Sequence, residues 1–487
     1  MQLLAKFEEP RILFRWIVAL SVLFITVISC FLMKISPVLL MAFLSSAIYI
    51  IALFYRSSLG AYAYASTLGF AALLNLPMTQ DGLKLSTILV LLALLVWIAK
   101  ALLTADRDLI LKPLGNIIHI LLCVILLTMV ISLVNSRNLG QSIGEIKQFI
   151  YCLVAYFVIL FNIKDFRQLR KIIIFTVCTG FIVSVLGIME GTIESIYSYL
   201  HNKSAFGAPL SRTILWTSAD RINGLIGDGD SHGIYMSVIF LFSLYLFLTF
   251  KPKILKTLLL VTMLTSLFNI IGAGSRGAAL GFLVSLFVFW IFIDLRRKWL
   301  ILTSALASFL IIAILMIVLI PDLNIERFYD PKAEAKKTVG LRVNNLIIGL
   351  AMTKNHPIIG NGPDGFTINY LRYGPRITPS ARRIPTKPLN AYLQALVEYG
   401  IVGLTLFLAI TIFIIKSFIR LLKNVTGKVR YLVAAIFAAF CGYTFFLNTT
   451  GFFVDQTYWL LVALAGTLIS IYNYETKKSK EDMACEN

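Results

Sequence analysis

Apolar stretches long enough to cross a lipid bilayer follow one another along most of the chain. A membrane-spanning helix needs about 20 mostly apolar residues. Such stretches begin near Ile12, Pro37, Leu59, Lys84, Asn116, Phe149, Ile172, Gly233, Ile254, Gly277, Trp299, Ile401, Tyr431 and Phe452. Those near Leu59 and Phe149 are weak. The pattern therefore predicts an all-α, polytopic integral membrane protein with about fourteen transmembrane helices, within a range of twelve to fourteen.

Two polar stretches interrupt this pattern and divide the chain. We expect transmembrane helices in 1–190, an outer loop in 191–232, transmembrane helices in 233–320, a large outer loop in 321–400, transmembrane helices in 401–474 and a cytoplasmic tail in 475–487. Loops held on a rigid scaffold often carry function. The large outer loop is therefore where we expect the chemistry.

The placement of charge decides which side of the membrane each loop occupies. The 487 residues are 59% hydrophobic, with a mean hydropathy of +0.85 and a net charge of +20. Cytoplasmic loops carry an excess of Lys and Arg. With the N-terminus inside, the short inner segments hold 25 of these residues and the short outer segments hold 5. The sequence predicts a multi-pass protein of the plasma (inner) membrane, with both termini cytoplasmic and the large loop outside.

The cysteines and the positive charge exclude other kinds of site. The six cysteines show no metal-like spacing, and most lie in apolar spans. We expect free, buried thiols, with no metal site and no cofactor. Because the basic residues border membrane spans, we expect membrane lipids as partners and no nucleic acid.

Two helices are predicted inside the large loop. From Leu341 to Thr353, one face is apolar (Val343, Leu346, Ile347, Leu350 and Ala351), and Arg342, Asn345 and Gly349 lie on the other. This periodicity predicts an amphipathic helix that lies on the membrane or packs down onto the membrane part. The second helix is predicted to begin at Thr386 as N-cap and to end at Gly400, and the turn Gly360-Asn361-Gly362-Pro363 separates it from the first.

Polar and basic side chains of this loop are candidates for substrate contacts. Asn390, Gln394 and Glu398 recur every four residues and share one helix face. Between the two helices lie Arg372, Arg376, Arg382, Arg383 and Lys387, and no acidic residue occurs from Phe366 to Val397. Uncompensated positive charge of this density favours an anionic ligand.

Two more outer features carry charge at the membrane edge. Arg221 precedes a glycine-rich turn that contains Asp228, Asp230 and His232. These two aspartates are candidates for a cation site, although turn chemistry is the better interpretation. Arg276 lies in the tight turn Gly274-Ser275-Arg276-Gly277, where a charge is costly unless it faces a cavity or a phosphate. His119, in an apolar span, is interpreted as a packed helix residue.

These motifs, in this order, resemble those of the O-antigen ligase and O-antigen polymerase superfamily. The similar residues of the large loop are Arg342, His356-Pro357-Ile358-Ile359-Gly360-Asn361-Gly362-Pro363, Asn390-Ala391-Tyr392-Leu393-Gln394 and Glu398-Tyr399-Gly400-Ile401-Val402-Gly403. The turn at Gly274–Gly277 resembles the family's Ser-Arg-Gly turn, and Arg221-Ile222-Asn223-Gly224 resembles an earlier motif. The resemblance runs from Arg221 to Gly403.

The resemblance implies a membrane glycosyltransferase with a GT-C-like fold. Such an enzyme takes a glycan from an undecaprenyl-pyrophosphate carrier on the outer face of the membrane. The polymerase branch joins it to another carrier-linked repeat unit, and the ligase branch joins it to an acceptor such as lipid A-core. The substrate would be an undecaprenyl-pyrophosphate-linked saccharide, with a chain-length regulator and a flippase as possible partners. His356 belongs to a His-Pro motif that the resemblance interprets as a turn.

One position departs from the family pattern. The family often has His-Asn where this chain has Leu389-Asn390, and leucine can neither transfer a proton nor bind phosphate. We therefore expect Arg276 and Arg221 to act as pyrophosphate clamps, with Glu398 as the candidate base and Asp228 as a second one. We expect Arg342, Arg372, Arg376, Arg382, Arg383, Asn390, Gln394 and His356 to bind substrate.

Together with these residues, the resemblance implies a metal-independent polymerase of a surface polysaccharide, with the ligase as the enzymatic alternative. A transporter or flippase of lipid-linked saccharide is the alternative from another class. A coupled carrier needs ionisable residues in its spans. The spans between Ile12 and Met189 are almost free of them, which counts against the carrier.

Overall fold

The computed structural model describes residues 37–70, 85–104, 117–192, 221–293, 298–319, 334–377, 387–451 and 455–485. Within these ranges the chain forms helices joined by turns, and no strand occurs. The α-helices are α1 (Pro37–Tyr55), α2 (Ser58–Thr67), α3 (Leu85–Thr104), α4 (Ile117–Ser132), α5 (Leu139–Asn162), α6 (Phe166–Thr192), α7 (Gly229–Thr249), α8 (Lys253–Gly272), α9 (Arg276–Phe292), α10 (Lys298–Leu319), α11 (Glu334–Thr353), α12 (Gly365–Ile377), α13 (Ala391–Asn424), α14 (Gly427–Phe446) and α15 (Gln456–Cys485).

The predicted all-α membrane architecture is confirmed for this part of the chain. Seven of its helices are long and apolar enough to cross a membrane, namely those in α4, α5, α6, α7, α8, α13 and α14. Shorter apolar helices occur at Ser86–Lys100, Arg276–Phe292 and Leu302–Leu315. The count of about fourteen spans stays a prediction, and the stretch near Ile12 lies outside the described residues.

Helix α7 lies at the centre of the bundle. It packs against α6, α8, α9 and α14, and 89% of its most apolar 18-residue stretch is buried. A helix that is apolar on all sides is stable only when other helices surround it. The N-terminus of α7 is thereby held in place beside the turn between α8 and α9.

In its described residues the large loop contains three helical pieces, one more than the sequence pattern indicated. The first predicted helix ends at Thr353 as expected, but it begins at Glu334 rather than Leu341. The additional helix, α12, contains Pro375 near its end. Together α11, α12 and the start of α13 enclose a small apolar core of Ile348, Met352, Phe366, Tyr370, Leu393 and Val397.

The predicted start of the second loop helix at Thr386 is wrong. Residues 387–390 are not helical, and α13 begins at Ala391. The N-cap is Asn390, whose side-chain oxygen accepts from the backbone N–H of Tyr392 at 2.9 Å and of Leu393 at 3.0 Å. Asparagine is a strong N-cap because it accepts from the free N–H groups of the first turn.

The predicted end at Gly400 is a sharp break rather than a terminus. Gly400 has φ of +67° and ψ of −164° inside α13, which then continues to Asn424. A positive φ with this ψ is open almost only to glycine. The break separates the loop part of α13 from the part that enters the membrane.

Helix α11 buries a different face from the one predicted. Asn345, Ile348 and Met352 are buried, whereas Val343 and Leu346 are each 47% exposed. The prediction that the apolar stripe packs down onto the membrane part of the protein is therefore wrong, because the core forms on the opposite face of the helix. The alternative that the stripe lies on the membrane surface remains a prediction.

Candidate functional site

The turn between α8 and α9 presents Arg276 at the start of a helix. Gly274 has φ of +59°, which closes the turn without a side chain in the way. Ser275 is the N-cap of α9, and its Oγ accepts from the N–H of Ala278 at 3.2 Å. Arg276 is exposed. The positive end of a helix dipole and a guanidinium together favour a negatively charged ligand.

Arg221 holds this turn from the neighbouring segment. Its Nε donates to the carbonyl oxygen of Ala273 at 2.7 Å, and its Nη2 forms an ion pair with Oδ1 of Asp230 at 2.6 Å. The backbone N–H of Ile222 donates to the carbonyl oxygen of Gly272 at 2.9 Å. The Arg221 side chain is 19% exposed. Two of its donors are therefore engaged inside the protein.

Asp228 and Asp230 serve the N-terminus of α7. Asp228 is the N-cap, and its carboxylate accepts from the N–H of Ser231 at 2.9 Å. Burial raises the pKa of Asp228, Asp230 adds to the rise, and the hydrogen bonds from Ser231 and the charge of Arg221 oppose it. Turn and capping chemistry thus accounts for Asp228, while Asp230 neutralises Arg221.

A buried histidine, to which no sequence pattern assigned a role, ties α7 to α8. The ring Nε2 of His232 is 2.9 Å from Oδ1 of Asn269. The Asn269 Nδ2 donates to the carbonyl oxygen of Ser184 at 2.8 Å, so its Oδ1 is the acceptor and His232 is the donor. His232 is fully buried. This network joins α6, α7 and α8 at a position two residues along α7 from Asp230, the partner of Arg221.

Arg342 of α11 reaches the same region from the large loop. Its Nη2 lies 3.4 Å from the carbonyl oxygen of Thr449. Partial burial lowers the pKa of Arg342, the charge of Asp230 opposes this, and that of Arg276 adds to it. Arg342 therefore lies within electrostatic range of both residues, and an arginine stays protonated in such a setting. The motifs at Arg221, Arg276 and Arg342 converge, because Arg221 holds the turn before Arg276, and Arg342 and Gly277 both contact Thr449.

The loop after α14 joins these motifs and was missed by sequence reasoning. A Cβ on Gly277 would lie 2.7 Å from Cβ of Thr449, so α9 begins in tight contact with this loop. The carbonyl oxygen of Asn448 accepts from Asn390 Nδ2 at 3.3 Å, and that of Leu447 accepts from the N–H of Ala391 at 2.9 Å. The only sequence signal was the short polar run Asn448-Thr449-Thr450-Gly451.

The break in α13 explains two of the loop motifs. The carbonyl oxygens of Val397 and Glu398 accept from the N–H groups of Asn361 and Gly362, at 2.9 and 3.0 Å. On the other side of the break, the N–H of Ile401 donates to the carbonyl oxygen of Pro357 at 2.9 Å. Backbone groups that the broken helix leaves free thus pair with the segment 357–362. These motifs shape the backbone of the loop.

The tip of the α4–α5 hairpin supports the same segment. Ser132 Oγ donates to the carbonyl oxygen of Glu398 at 2.6 Å, and Ser142 Oγ donates to that of Pro363 at 2.6 Å. Asn135 Nδ2 donates to the carbonyl oxygen of Gly360 at 2.8 Å. The N-terminal helices therefore help to position the large loop.

Glu398 and Gln394 form a buried polar pair. Gln394 Nε2 donates to Oε2 of Glu398 at 3.1 Å, and both residues are at most 2% exposed. Oε1 of Glu398 has no partner of good hydrogen-bond geometry within the described residues. Glu145 and Asp364 repel the charge of this carboxylate and Lys387 attracts it. Glu145 of α5 is buried as well.

The remaining candidates lie elsewhere. Arg372 and Arg376 are exposed on α12, and the Arg372 guanidinium lies 5.9 Å from the centre of the Tyr373 ring. Arg382 and Arg383 lie outside the described residues. His356 is half-buried in the turn after α11, where its carbonyl oxygen accepts from the N–H of Gly360 at 3.0 Å. Leu389 is also half-buried, one residue before the cap of α13.

A protein-family comparison matches the part of the chain that carries most of these features. Residues 261–408 match the family described as O-antigen ligase. The resemblance to the O-antigen ligase and O-antigen polymerase superfamily is confirmed over this stretch, which includes Arg276, Arg342 and Glu398 but not Arg221. No curated protein matches the chain.

The O-antigen ligase match supports an enzyme of polysaccharide assembly that uses lipid-linked saccharides. The apolar helices agree with a multi-pass membrane protein. Among the described residues no group of His, Cys, Asp and Glu could hold a metal ion. Catalysis without a metal stays a prediction.

Proposed function

We propose that the protein polymerises undecaprenyl-pyrophosphate-linked repeat units of a cell-surface polysaccharide, of the O-antigen, capsule, exopolysaccharide or teichuronic-acid type. The observation that carries this proposal is the convergence of Arg276 and Arg342. Asp230, which lies within electrostatic range of Arg342, is already paired with Arg221. Two neighbouring guanidinium groups favour a doubly charged anion such as pyrophosphate.

The reaction is the displacement of a pyrophosphate from a sugar. The hydroxyl oxygen of one repeat unit attacks the anomeric carbon of another, and the bond from that carbon to the pyrophosphate oxygen breaks. The electron pair leaves with the pyrophosphate, and the hydroxyl proton passes to solvent or to a base. Arg276 and Arg342 would stabilise the charge that develops on the leaving group. Removing one preorganised donor of this kind costs about 2.7–4 kcal/mol.

Of the two possible contributions to catalysis, the arginine clamp and a general base, the base has the weaker support. Leu389 stands where the family often has histidine, and Asp228 is engaged in capping α7. Glu398 is fully buried beside Gln394. We therefore assign the main rate enhancement to the arginine clamp and to positioning.

The alternative is a ligase that transfers the glycan to lipid A-core, and it would use the same clamp with another acceptor. The absence of the family histidine at Leu389 favours the polymerase. We also propose that the protein lies in the inner membrane with both termini cytoplasmic. A flippase and a chain-length regulator would act with it.

Purified full-length protein and lipid-linked repeat units test the proposal. Wild type is expected to form long chains, Arg276→Ala to lose at least 100-fold of this activity, and Arg276→Lys to recover part of it, because an ammonium cannot make the two-pronged contact. The matched control is Arg167→Ala, an exposed arginine at the start of α6. Transfer to lipid A-core without chain growth would establish the ligase, and an active Arg276→Ala would refute the clamp.

A further inference from the structure

Helix α11 exposes an apolar stripe outside the membrane-spanning helices. Val343, Leu346, Ile347 and Leu350 are between 43% and 47% exposed. They lie at positions i, i+3, i+4 and i+7, so they form one stripe along the helix. The opposite face, through Ile348 and Met352, packs into the apolar core of the loop. A contiguous exposed stripe of large apolar residues indicates a binding surface rather than a solvated face.

One row of side chains along this stripe, here called the ridge, begins at Arg342, an arginine of the candidate site. Arg342, Leu346 and Leu350 are spaced by four residues, so neighbouring side chains of this series lie next to each other. From Arg342 to Leu350 the ridge is about 12 Å long, at about 1.5 Å per residue. At its head, Arg342 Nη2 lies 3.4 Å from the carbonyl oxygen of Thr449, and Gly277, next to Arg276 in the chain, packs closely against the same Thr449. The apolar surface is thus continuous with the two arginines of the proposed clamp.

A ligand that fills both parts must carry a strongly anionic group joined directly to a long apolar chain. We propose that the stripe binds the first isoprene units of the polyprenyl chain of the donor, while Arg276 and Arg342 hold its pyrophosphate. This inference rests on the proposed function and adds a binding surface to it. The positive head and apolar ridge complement the two ends of a single polyprenyl pyrophosphate.

This arrangement also allows the protein to select its donor by the length of the lipid chain. A donor held by its phosphates alone would bind equally well whatever its lipid. A donor that also covers Leu346 and Leu350 gains affinity from the apolar area that it removes from solvent. Affinity is therefore expected to depend on the length of the lipid, and the dependence resides in α11.

Equilibrium binding to the purified full-length protein tests the inference separately from turnover. The probes are undecaprenyl pyrophosphate and methyl pyrophosphate, which are both pyrophosphate monoesters and of which only the first carries isoprene units. Leu346→Gln and Leu350→Gln are each expected to raise the Kd for undecaprenyl pyrophosphate roughly fivefold and to leave that for methyl pyrophosphate unchanged. Glutamine is a good helix former, so α11 should persist.

The matched control is Leu371→Gln on α12, since Leu371 is 46% exposed and Leu346 is 47% exposed. It should change neither Kd. Equal effects of Leu346→Gln on both probes, no effect on either, or wild-type binding that ignores chain length would overturn the inference. If the chain-length dependence is found but no glycan is transferred, the proposed function fails while this surface stands.

Discussion

Arg221 and Asp230 form an ion pair in which Nη2 lies 2.6 Å from Oδ1, and the same arginine donates to the carbonyl oxygen of Ala273 at 2.7 Å. Both contacts fix the turn from which Arg276 projects. This geometry separates the two arginines that the sequence had grouped together. Arg221 positions the turn, and Arg276 is the exposed charge available to a ligand.

The first prediction concerns this pair. Arg221→Ala should lower thermal stability and activity together, because it removes a charged hydrogen bond and leaves the Ala273 carbonyl unpaired. Hydrogen bonds to charged groups contribute about 1.5–3 kcal/mol. Asp230→Ala should cause part of the same loss, and the double variant should lose less than the sum of the two, which is the signature of direct coupling.

Thermal unfolding in detergent and chain growth are measured on the same preparations. Arg276→Ala is the comparison, since it should lose activity at an unchanged melting temperature. An Arg221→Ala protein that melts like wild type yet makes no polymer would move Arg221 from the positioning residues to the clamp.

The second prediction is a dependence of stability on pH through Asp228. Burial raises the pKa of this carboxyl in the folded protein. The folded state then binds the proton more tightly than the unfolded state, so the charged form costs stability above the folded pKa. Asp228→Asn retains an N-cap, because asparagine caps as well as aspartate, and it removes the charge.

The variant should therefore be more stable than wild type at neutral pH. Its advantage should shrink as the pH falls through the raised pKa of Asp228 and should vanish near the ordinary Asp value of about 3.9. Melting temperatures of both proteins across that range give the comparison. An advantage that stays constant with pH would mean that the charge of Asp228 plays no part.

Local features of the fold could be read from the sequence. The end of α11 at Thr353 and the break at Gly400 follow from helix periodicity and glycine chemistry, which act over a few residues. The start of α13 was misplaced because several residues before it, including Thr386 and Asn390, are acceptable caps. Only packing against the loop after α14, where Ala391 bonds to Leu447, distinguishes them.

The candidate site could be predicted only in part, because its contacts also depend on tertiary packing. Arg276 was a candidate because a charge at a membrane edge is costly, and Arg342 was a candidate because it belongs to the motifs that resemble the family. The contact of Ser132 with Glu398 joins residues 266 positions apart, and serine side chains give no periodic signal. Neither the exposure of the apolar stripe on α11 nor the pairing of Arg221 with Asp230 follows from spacing, since both depend on which neighbours the tertiary structure supplies.

The third prediction is the orientation of the chain in the membrane. The 25-to-5 distribution of Lys and Arg in short segments indicates that the large loop is outside. Single cysteines replace Lys354, exposed after α11, and Asn424, exposed at the end of α13, in a background without the six native cysteines. An impermeant thiol reagent should label only the Lys354→Cys protein in intact cells. Labelling of Asn424→Cys instead would place the clamp on the cytoplasmic side and exclude the proposed reaction.

The last prediction decides whether Glu398 is a base. General-base catalysis contributes typically about 10² to 10⁴ in rate. Oε2 of Glu398 already accepts from Gln394 at 3.1 Å, and its backbone oxygen accepts from Ser132 and from the N–H of Gly362. A glutamine at 398 retains all three contacts, because its amide oxygen replaces Oε2 and the backbone is unchanged.

Glu398→Gln also removes one of the mutually repelling acids, the others being Glu145 and Asp364. We therefore expect a melting temperature equal to or above that of wild type, and an activity within about tenfold of it, below the loss that a missing base produces. Gln394→Leu is the structural control. It leaves the buried carboxylate without its donor, which should cost about 1–3 kcal/mol of stability. If Glu398→Gln folds normally and is inactive while Arg276→Ala still makes polymer, Glu398 is the base. The arginine would then only anchor the turn at the membrane edge.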